Sequence, residues 1–170
     1  MITWLLLGPN AVGKTSLGPA LAQALGMGFA DLDALLIQDY RVADLSACVW
    51  SWGAAGFEQR SLACLARLEQ SPRRWLVAVG SGSQWADQNQ LALLRYPSLC
   101  LWAAPEGLWE RNRQLRQDPR SFEQFRAIEY EARAALYQGA LLRVDLTGLN
   151  LAAAGEKALE SILVFRSLPG

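Results

Sequence analysis

The feature that most constrains this chain lies near its N-terminus, where residues 8–15 read Gly-Pro-Asn-Ala-Val-Gly-Lys-Thr and match GxxxxGK[ST] at every fixed position. This segment follows a continuous apolar run, Ile2–Leu7, of the kind expected for a strand buried on both faces. It precedes a helical period in which Leu17, Leu21 and Leu25 recur every four residues. A strand, a glycine-rich turn and a helix, in this order, are the context that a phosphate-binding loop requires.

A loop of this type binds phosphate mainly through its backbone. Its glycines let successive N–H groups point at phosphate oxygens, and the N-terminus of the following helix adds the positive end of its dipole. Lys14 is placed to reach the β- and γ-phosphates, and the Thr15 hydroxyl to coordinate Mg²⁺. We therefore predict nucleotide binding by Gly8, Ala11, Val12, Gly13, Lys14, Thr15 and Ser16.

Short apolar runs alternate with helical periods along the rest of the chain. Strands are predicted at residues 2–7, 27–30, 75–79, 99–102 and 141–144. Helices are predicted near residues 15–25, 33–39, 54–69, 86–94, 105–115, 121–138 and 151–165. The alternation predicts an α/β fold with a parallel, doubly wound sheet. Right-handed crossovers then place the carboxyl ends of the strands at one edge, where ligands bind.

The composition restricts the chemistry that is available. The length of 170 residues suits one domain, residues 1–170, and 16 basic side chains balance 16 acidic ones, which argues against a general electrostatic grip on nucleic acid or on a membrane. With no histidine in the chain, catalysis and metal binding by histidine are excluded, and the three cysteines form no CxxC pair. No apolar run reaches the roughly 18 residues that span a bilayer. We predict a cytoplasmic monomer that binds neither nucleic acid nor membrane.

Two carboxylates follow the second predicted strand. Asp31 and Asp33 are two positions apart, and in an extended segment residues at this spacing point the same way. Both would then face the ligand cleft, where one carboxylate would hold Mg²⁺ through water and the other would orient and deprotonate an acceptor hydroxyl. The alternative is that Asp33 only caps a helix that begins at Ala34.

Arginines are concentrated in one stretch of the chain. Residues 107–143 carry seven of the fourteen arginines, and their centre, residues 114–120, is rich in Gln, Asp and Pro. One interpretation is a solvated helical surface. The other is a mobile, arginine-bearing lid at about residues 112–120 that closes over a phosphate site.

Taken together, these motifs resemble the shikimate kinase family over nearly the whole chain. That family has a P-loop, a DxD pair, a GxxxFR segment, a GGG turn, an arginine-bearing lid, an R-x-x-L-Y stretch and a late V-D strand. The matching segments here are residues 8–15, 31–33, 53–57 and 80–82, Arg111 with the lid at 112–120, and residues 133–137 and 144–145. The resemblance implies a three-layer α/β/α, nucleoside-monophosphate-kinase-like fold with a five-stranded parallel sheet.

The same resemblance implies a reaction, in which ATP, with Mg²⁺, phosphorylates the 3-hydroxyl of shikimate or a similar small hydroxylated acid. It implies catalytic roles for Lys14, Asp33, Arg116 and Arg120, a nucleotide contact for Arg111, and metal ligation by Thr15 and Asp31. The residues implied to hold the acceptor are Asp33, Gly80, Ser81, Gly82 and Arg133, with Arg133 binding its carboxylate. The helical residues at about 33–61 would form the acceptor region.

The departures from the family pattern fall mainly on the acceptor side. Glu58 replaces the arginine of the FR pair and Ser61 the acidic residue after it, while Ser81 and Asp118 replace a glycine of the turn and an arginine of the lid. A substrate carboxylate about 4 Å from Glu58 would be repelled by about 4 kcal/mol at an effective dielectric constant of about 20. Arg60 lies on the opposite face of a regular helix. The alternatives are another small hydroxylated acceptor, a nucleotide-binding relative without turnover, or an unrelated P-loop ATPase.

Overall fold

A sheet of five parallel strands forms the centre of the molecule. The computed structural model describes residues 1–80 and 92–167. Its strands are β1 Ile2–Leu7, β2 Gly28–Asp31, β3 Trp75–Ala78, β4 Ser98–Trp102 and β5 Leu142–Asp145. They lie in the order β2-β3-β1-β4-β5, and each strand is parallel to its neighbours. The predicted parallel sheet is therefore confirmed, and no strand end differs from its predicted position by more than one residue.

Helices cover both faces of the sheet. They are α1 Lys14–Ala24, α2 Leu32–Tyr40, α3 Leu45–Gln70, α4 Pro105–Arg116, α5 Phe122–Glu129, α6 Ala134–Gln138 and α7 Leu151–Ser167, with a 3-10 turn at Glu131–Arg133. Most of the helix predicted at 86–94 lies outside the described residues. Within residues 1–80 and 92–167, no helix is both long and apolar enough to cross a membrane.

Strand β1 shows why the apolar run at the N-terminus is continuous. Trp4 and Leu6 belong to a core that α1, α4, α5 and α7 complete on one face of the sheet. Leu5 and Leu7 belong to a second core on the other face, which α2, α3 and α6 complete. Because neighbouring residues of a strand point to opposite faces, burial on both sides favours the unbroken apolar run at residues 4–7.

Helix α3 corrects one prediction. The sequence predicted a helix over 54–69, but α3 begins at Leu45 and runs to Gln70. Asp44 caps its start by accepting a hydrogen bond from the Ala47 N–H at 2.8 Å. The helix is interrupted at Gly53, where φ is 66° and ψ is 177°. Gly53 therefore interrupts α3 within the predicted acceptor region. The helical segment at residues 45–52 was missed by the sequence analysis.

The second correction concerns residues 121–138, which the sequence predicted as one helix. The helix ends at Glu129, and the backbone leaves the helical region at Tyr130, with φ −120° and ψ −55°. The Tyr130 hydroxyl donates to the Ala103 carbonyl at 2.7 Å, and its ring packs edge-on against Trp102. These contacts with the end of β4 hold Tyr130 in place, so the chain continues as a 3-10 turn and a short helix.

Candidate active site

The phosphate loop lies between β1 and α1, as predicted. Gly8 has a φ of 139°, and a Cβ there would lie 2.3 Å from the carbonyl oxygen of Leu101 on β4. Gly13 precedes α1 with a φ of 108°. A side chain is excluded at Gly8 by space and is disfavoured at both positions by backbone conformation. The two glycines therefore allow the backbone to turn tightly at the carboxyl end of β1.

Lys14 is folded back over this loop. Its ammonium group is buried and donates to the carbonyl oxygens of Gly8 at 2.6 Å and Pro9 at 2.9 Å. Burial lowers the pKa of Lys14 to about 8, although the nearby carboxylates of Glu129 and Asp33 act in the opposite direction. Phosphate oxygens are stronger partners for an ammonium group than carbonyl oxygens are, so Lys14 is poised to exchange one for the other.

Asp31 has a different local role from the one predicted. Helix α2 begins directly after it, so residues 31–33 are not an extended segment and the alternation argument was wrong. Asp31, not Asp33, caps the helix, because Oδ1 of Asp31 accepts hydrogen bonds from the N–H groups of Asp33 at 3.1 Å and Ala34 at 3.4 Å. The other oxygen, Oδ2, accepts from the Thr15 hydroxyl at 2.8 Å. Asp31 and Thr15 therefore present adjacent oxygen atoms beside the phosphate loop.

Asp33 lies in the first turn of α2 and faces the end of β3. A Cβ on Gly80 would lie 1.9 Å from the Asp33 carboxylate, so only glycine permits this approach. Oδ1 of Asp33 is buried and accepts no hydrogen bond from any described residue. Burial and the neighbouring charge of Asp31 raise the pKa of Asp33 to about 6, while Lys14 and Arg116 oppose the shift. A carboxylate with this pKa is suited to accept a proton near neutral pH.

Two of the predicted arginines approach the site. The Arg111 guanidinium donates to the carbonyl oxygen of Ala11 in the phosphate loop at 3.2 Å. Arg116, at the end of α4, is exposed and lies close enough to Asp33 for its positive charge to lower the pKa of that carboxyl. The structure therefore places Arg111 beside the nucleotide loop and Arg116 on the side of the acidic residue.

Arg120 is held in a different way. Its guanidinium forms ion pairs with Asp118 at 2.5 Å and with Glu129 at 3.1 Å. Asn112 also donates a hydrogen bond to Asp118, and the indole N–H of Trp109 donates to the Arg120 carbonyl at 3.1 Å. Residues 112–116 belong to α4, so part of the predicted lid is helical. Movement of this segment stays a prediction, but its end at Arg120 is anchored in this structure.

Arg133, predicted to bind the acceptor carboxylate, is buried beside a carboxylate of the protein itself. Arg133 and Glu129 are each 1% exposed, and they form an ion pair at 2.5 Å. Glu129 also accepts hydrogen bonds from the Asn10 backbone N–H at 3.1 Å and the Asn10 side chain at 3.0 Å. The sequence analysis missed Glu129. Its spacing of four residues before Arg133 is the signal from which an ion pair could have been found.

Helix α3 carries the residues that depart most from the family pattern. Oε1 of Glu58 is buried, and no group within residues 1–80 and 92–167 donates a hydrogen bond to it. The Arg60 guanidinium lies over the rings of Trp52 and Tyr40, at 4.4 Å and 5.3 Å from their centroids. Arg60 and Asp33 both influence the pKa of the Cys48 thiol, which burial chiefly raises. The rings of Trp52 and Tyr40 therefore hold the Arg60 guanidinium in place.

Two smaller departures have different outcomes. Ser61 is buried, and its hydroxyl donates to the Phe57 carbonyl at 2.9 Å, so this bond lies within α3. The predicted acceptor residues Ser81 and Gly82 lie outside the described residues. The structure therefore describes only Gly80 from the predicted glycine turn.

A cavity of about 540 Å³ adjoins the phosphate loop. Val12 and Leu17 line one side, Arg111 another, and the loop after β5, with Leu146 and Leu149, a third. The lining combines apolar side chains with the Arg111 guanidinium and the polar side chains of Thr147 and Asn150. A lining of this kind suits a flat heterocyclic ring beside a phosphate chain.

The chain was compared with known protein families, sequences and structures. The sequence profile of the family described as shikimate kinase matches residues 10–163. The shikimate kinase of Psychrobacter cryohalolentis is 30% identical over 139 residues, which cover 78% of this chain and 73% of that protein. The shikimate kinase of Symbiobacterium thermophilum is 31% identical over 150 residues, covering 82% and 83%. The structure of a shikimate kinase from Acinetobacter baumannii in complex with shikimate aligns with a TM-score of 0.77 and 24% identity, covering 98% of this chain and 95% of that one. The similarity to this solved structure is evidence for the fold alone.

Proposed function

The chain belongs to the shikimate kinase family, and we propose that it transfers the γ-phosphoryl group of ATP to the 3-hydroxyl group of shikimate. As a member of this family it is a phosphotransferase with an alcohol acceptor. The position of Asp33 carries the proposal for this chain. Its buried carboxylate lies against Gly80 and within electrostatic reach of Lys14 and Arg116. The proposed proton acceptor is thus close to the proposed phosphate-binding groups.

The phosphate loop and the adjoining cavity bind ATP. Backbone N–H groups of residues 11–16 and the Lys14 ammonium hold the phosphates. Gly8 and Gly13 give the loop its shape through their positive φ angles. Arg111, which lies between the loop and the cavity, contacts the nucleotide from the side of its base.

Thr15 and Asp31 fit a magnesium site. The Thr15 hydroxyl and Oδ2 of Asp31 are 2.8 Å apart, and hard oxygen donors of this kind are the ligands that Mg²⁺ prefers. Thr15 and Asp31 would together hold the cation beside the phosphate loop. When bound, Mg²⁺ neutralises charge on the β- and γ-phosphates.

Asp33 orients the acceptor hydroxyl and takes its proton as the hydroxyl oxygen forms a bond to the γ-phosphorus. The bond between that phosphorus and the oxygen bridging to the β-phosphate breaks, and ADP leaves. Lys14 and Arg116 neutralise negative charge on the phosphoryl group during transfer. Arg116 fits this role better than Arg120, because Asp118 and Glu129 already hold the Arg120 guanidinium.

Arg133 binds the carboxylate of shikimate, and Gly80 leaves room for Asp33 beside the acceptor. Arg133 matches the arginine of the R-x-x-L-Y stretch of the family. In this structure its guanidinium is buried against Glu129, so the acceptor carboxylate must share it with that residue. A guanidinium has five N–H donors and can serve two carboxylates on different edges.

Release of ADP from Mg·ATP, measured with and without saturating shikimate, tests this function. Lys14→Ala serves as the blank, since it removes the ammonium group that reaches the phosphates. We expect ADP release that requires shikimate and is lost in the variant. ATP binding, seen as thermal stabilisation, without shikimate-dependent ADP release would refute the proposed reaction.

A further inference from the structure

The Glu129 carboxylate, at the end of α5, is the most completely satisfied buried charge near the site. It is 1% exposed, and each of its oxygens accepts two hydrogen bonds. Oε2 accepts from the Asn10 N–H at 3.1 Å and from Arg133 at 2.5 Å. Oε1 accepts from the Asn10 side-chain amide at 3.0 Å and from Arg120 at 3.1 Å. Four donors match the capacity of an ionised carboxylate, which allows this charge to be buried.

The donors to Glu129 come from three separate parts of the site. Asn10 lies in the phosphate loop, 119 positions away in the chain. Arg120 ends the segment predicted as the lid, and Arg133 is the residue proposed to bind the acceptor carboxylate. If Glu129 served only to stabilise the end of α5, an ion pair with one of the two arginines would be enough. The arrangement instead joins a loop peptide and two arginines to one carboxylate, although they belong to different ligand sites.

We propose that Glu129 is a positioning residue that holds the phosphate loop, the end of the lid segment and the acceptor arginine in one frame. This inference rests on the proposed function, because that function assigns the acceptor to Arg133. Glu129 acts through Asn10 on the nucleotide side and through Arg133 on the acceptor side. Arg120 completes the frame and keeps the segment after α4 attached to the phosphate loop. Removing the negative charge therefore affects the binding of both substrates.

Glu129→Gln is the direct test, because glutamine keeps the shape of the side chain and removes its charge. We expect the KM values for ATP and for shikimate each to rise by about tenfold or more, as charge-assisted hydrogen bonds to buried groups are lost. Asn10→Ala removes only the loop contact and should raise the KM for ATP while leaving that for shikimate near its original value. The matched control is Glu131→Gln, since Glu131 is 59% exposed and pairs with Arg126 at 3.3 Å. This control should alter neither KM.

A folded Glu129→Gln protein in which neither KM changes, or only one does, overturns the proposal. ADP affinity, measured by calorimetry, keeps the two hypotheses separable. If the natural chain does not phosphorylate shikimate, the proposed function is wrong. The role of Glu129 at the phosphate loop is then tested on its own: a lower ADP affinity in Glu129→Gln supports that role, and an unchanged ADP affinity refutes it.

Should Glu129→Gln not fold, a second measurement tests the same link. Asn10 and Arg120 both bind the Glu129 carboxylate, so Asn10→Ala and Arg120→Ala are compared singly and together. We expect their effects on ADP affinity to be less than additive, because either substitution already loosens the shared carboxylate. Strictly additive effects would show that the two residues act independently and would overturn the proposal.

Discussion

The nucleotide half and the acceptor half of this site are built in different ways. The nucleotide half is one continuous segment, residues 8–16, in which backbone N–H groups and two glycines with positive φ provide most of the chemistry. The proposed acceptor half draws on side chains of α2 and α3 and on Arg133, which lie far apart in the chain. The first half matches the family motif at every fixed position, whereas the second contains Glu58, Ser61 and Ser81.

The difference teaches that this chain departs from the family pattern where side chains, rather than the backbone, would provide the binding groups. A phosphate loop loses its shape if either constrained glycine acquires a side chain. An acceptor pocket can exchange one side chain for another and keep the fold, because its residues lie on separate elements. Asp33 is where the halves meet, so the predictions begin there.

The largest expected effect is that of Asp33→Asn, which removes the proton acceptor without a large change in shape. We expect kcat to fall by about 10²–10⁴-fold, as is typical when a general base is lost. Affinity for ADP should stay near its original value, because the nucleotide half is intact. A variant that retains more than a tenth of the original kcat would contradict the role of Asp33.

The second prediction separates two arginines of the lid segment. Arg116→Ala should lower kcat by about 10²-fold, because it removes a cation that stabilises charge in the transition state. Arg120→Ala should lower thermal stability and nucleotide affinity but reduce kcat less, since Arg120 is anchored by Asp118 and Glu129. Steady-state kinetics and thermal unfolding of both variants provide the measurement. A greater loss of kcat in Arg120→Ala would reverse the assignment.

The third prediction concerns the stability of the ligand-free protein. Because the folded-state pKa of Asp33 is raised from 3.8 to about 6, the ionised carboxylate destabilises the fold, and the penalty grows as the pH rises between these values. At pH 7, Asp33→Asn should therefore raise the free energy of unfolding by about 1–3 kcal/mol. Near pH 4 the difference should largely disappear.

Asp118→Asn is a control of opposite sign for this pH dependence. Hydrogen bonds from Arg120 lower the pKa of Asp118, so its ionised form stabilises the fold above the ordinary pKa of the carboxyl. This contribution is lost as the pH falls through the lowered pKa. Asp118→Asn should therefore destabilise the protein at pH 7, and denaturant unfolding over the pH range compares both variants. Equal effects of the same sign would contradict the electrostatic description of the site.

The smallest expected effect restores the family residue at position 58. Glu58→Arg replaces repulsion of the acceptor carboxylate with attraction and should lower the KM for shikimate by about tenfold, with kcat little changed. Glu58→Gln removes only the repulsion and should give an intermediate KM. If Glu58→Arg raises the KM, the acceptor carboxylate does not lie near position 58 and the pocket is arranged differently from the family pattern.

Much of the fold and of the nucleotide half follows from local sequence. The apolar run of β1, the alternation of strands with helices and the motif at residues 8–15 each depend on neighbouring residues, and the structure confirms the fold that they predicted. The errors lie where distant contacts decide. Tyr130 ends a helix because it bonds to Ala103, 27 positions away, and Glu129 is satisfied by Asn10, 119 positions away. No local pattern contains these pairs.

The carboxylates after β2 illustrate an intermediate case. The sequence indicated Asp31 and Asp33 as site residues for a geometric reason that does not hold, because α2 begins at Leu32. Asp31 reaches Thr15 while it caps the helix, and Asp33 reaches the site from the first helical turn. The closeness of Asp33 to Gly80 depends on how the start of α2 lies beside the chain that follows β3, which only the three-dimensional structure describes.

The most direct test of the central claim, that the two halves meet to phosphorylate shikimate, is to identify the phosphorylated product by ³¹P NMR. The protein is incubated with Mg·ATP and shikimate, and the position of the new phosphate is determined from its coupling to ring protons. We predict one phosphomonoester on the 3-hydroxyl, formed at the rate of ADP release and about 10²–10⁴-fold more slowly with Asp33→Asn. Inorganic phosphate as the only new product, or unchanged ATP and shikimate, would contradict the account.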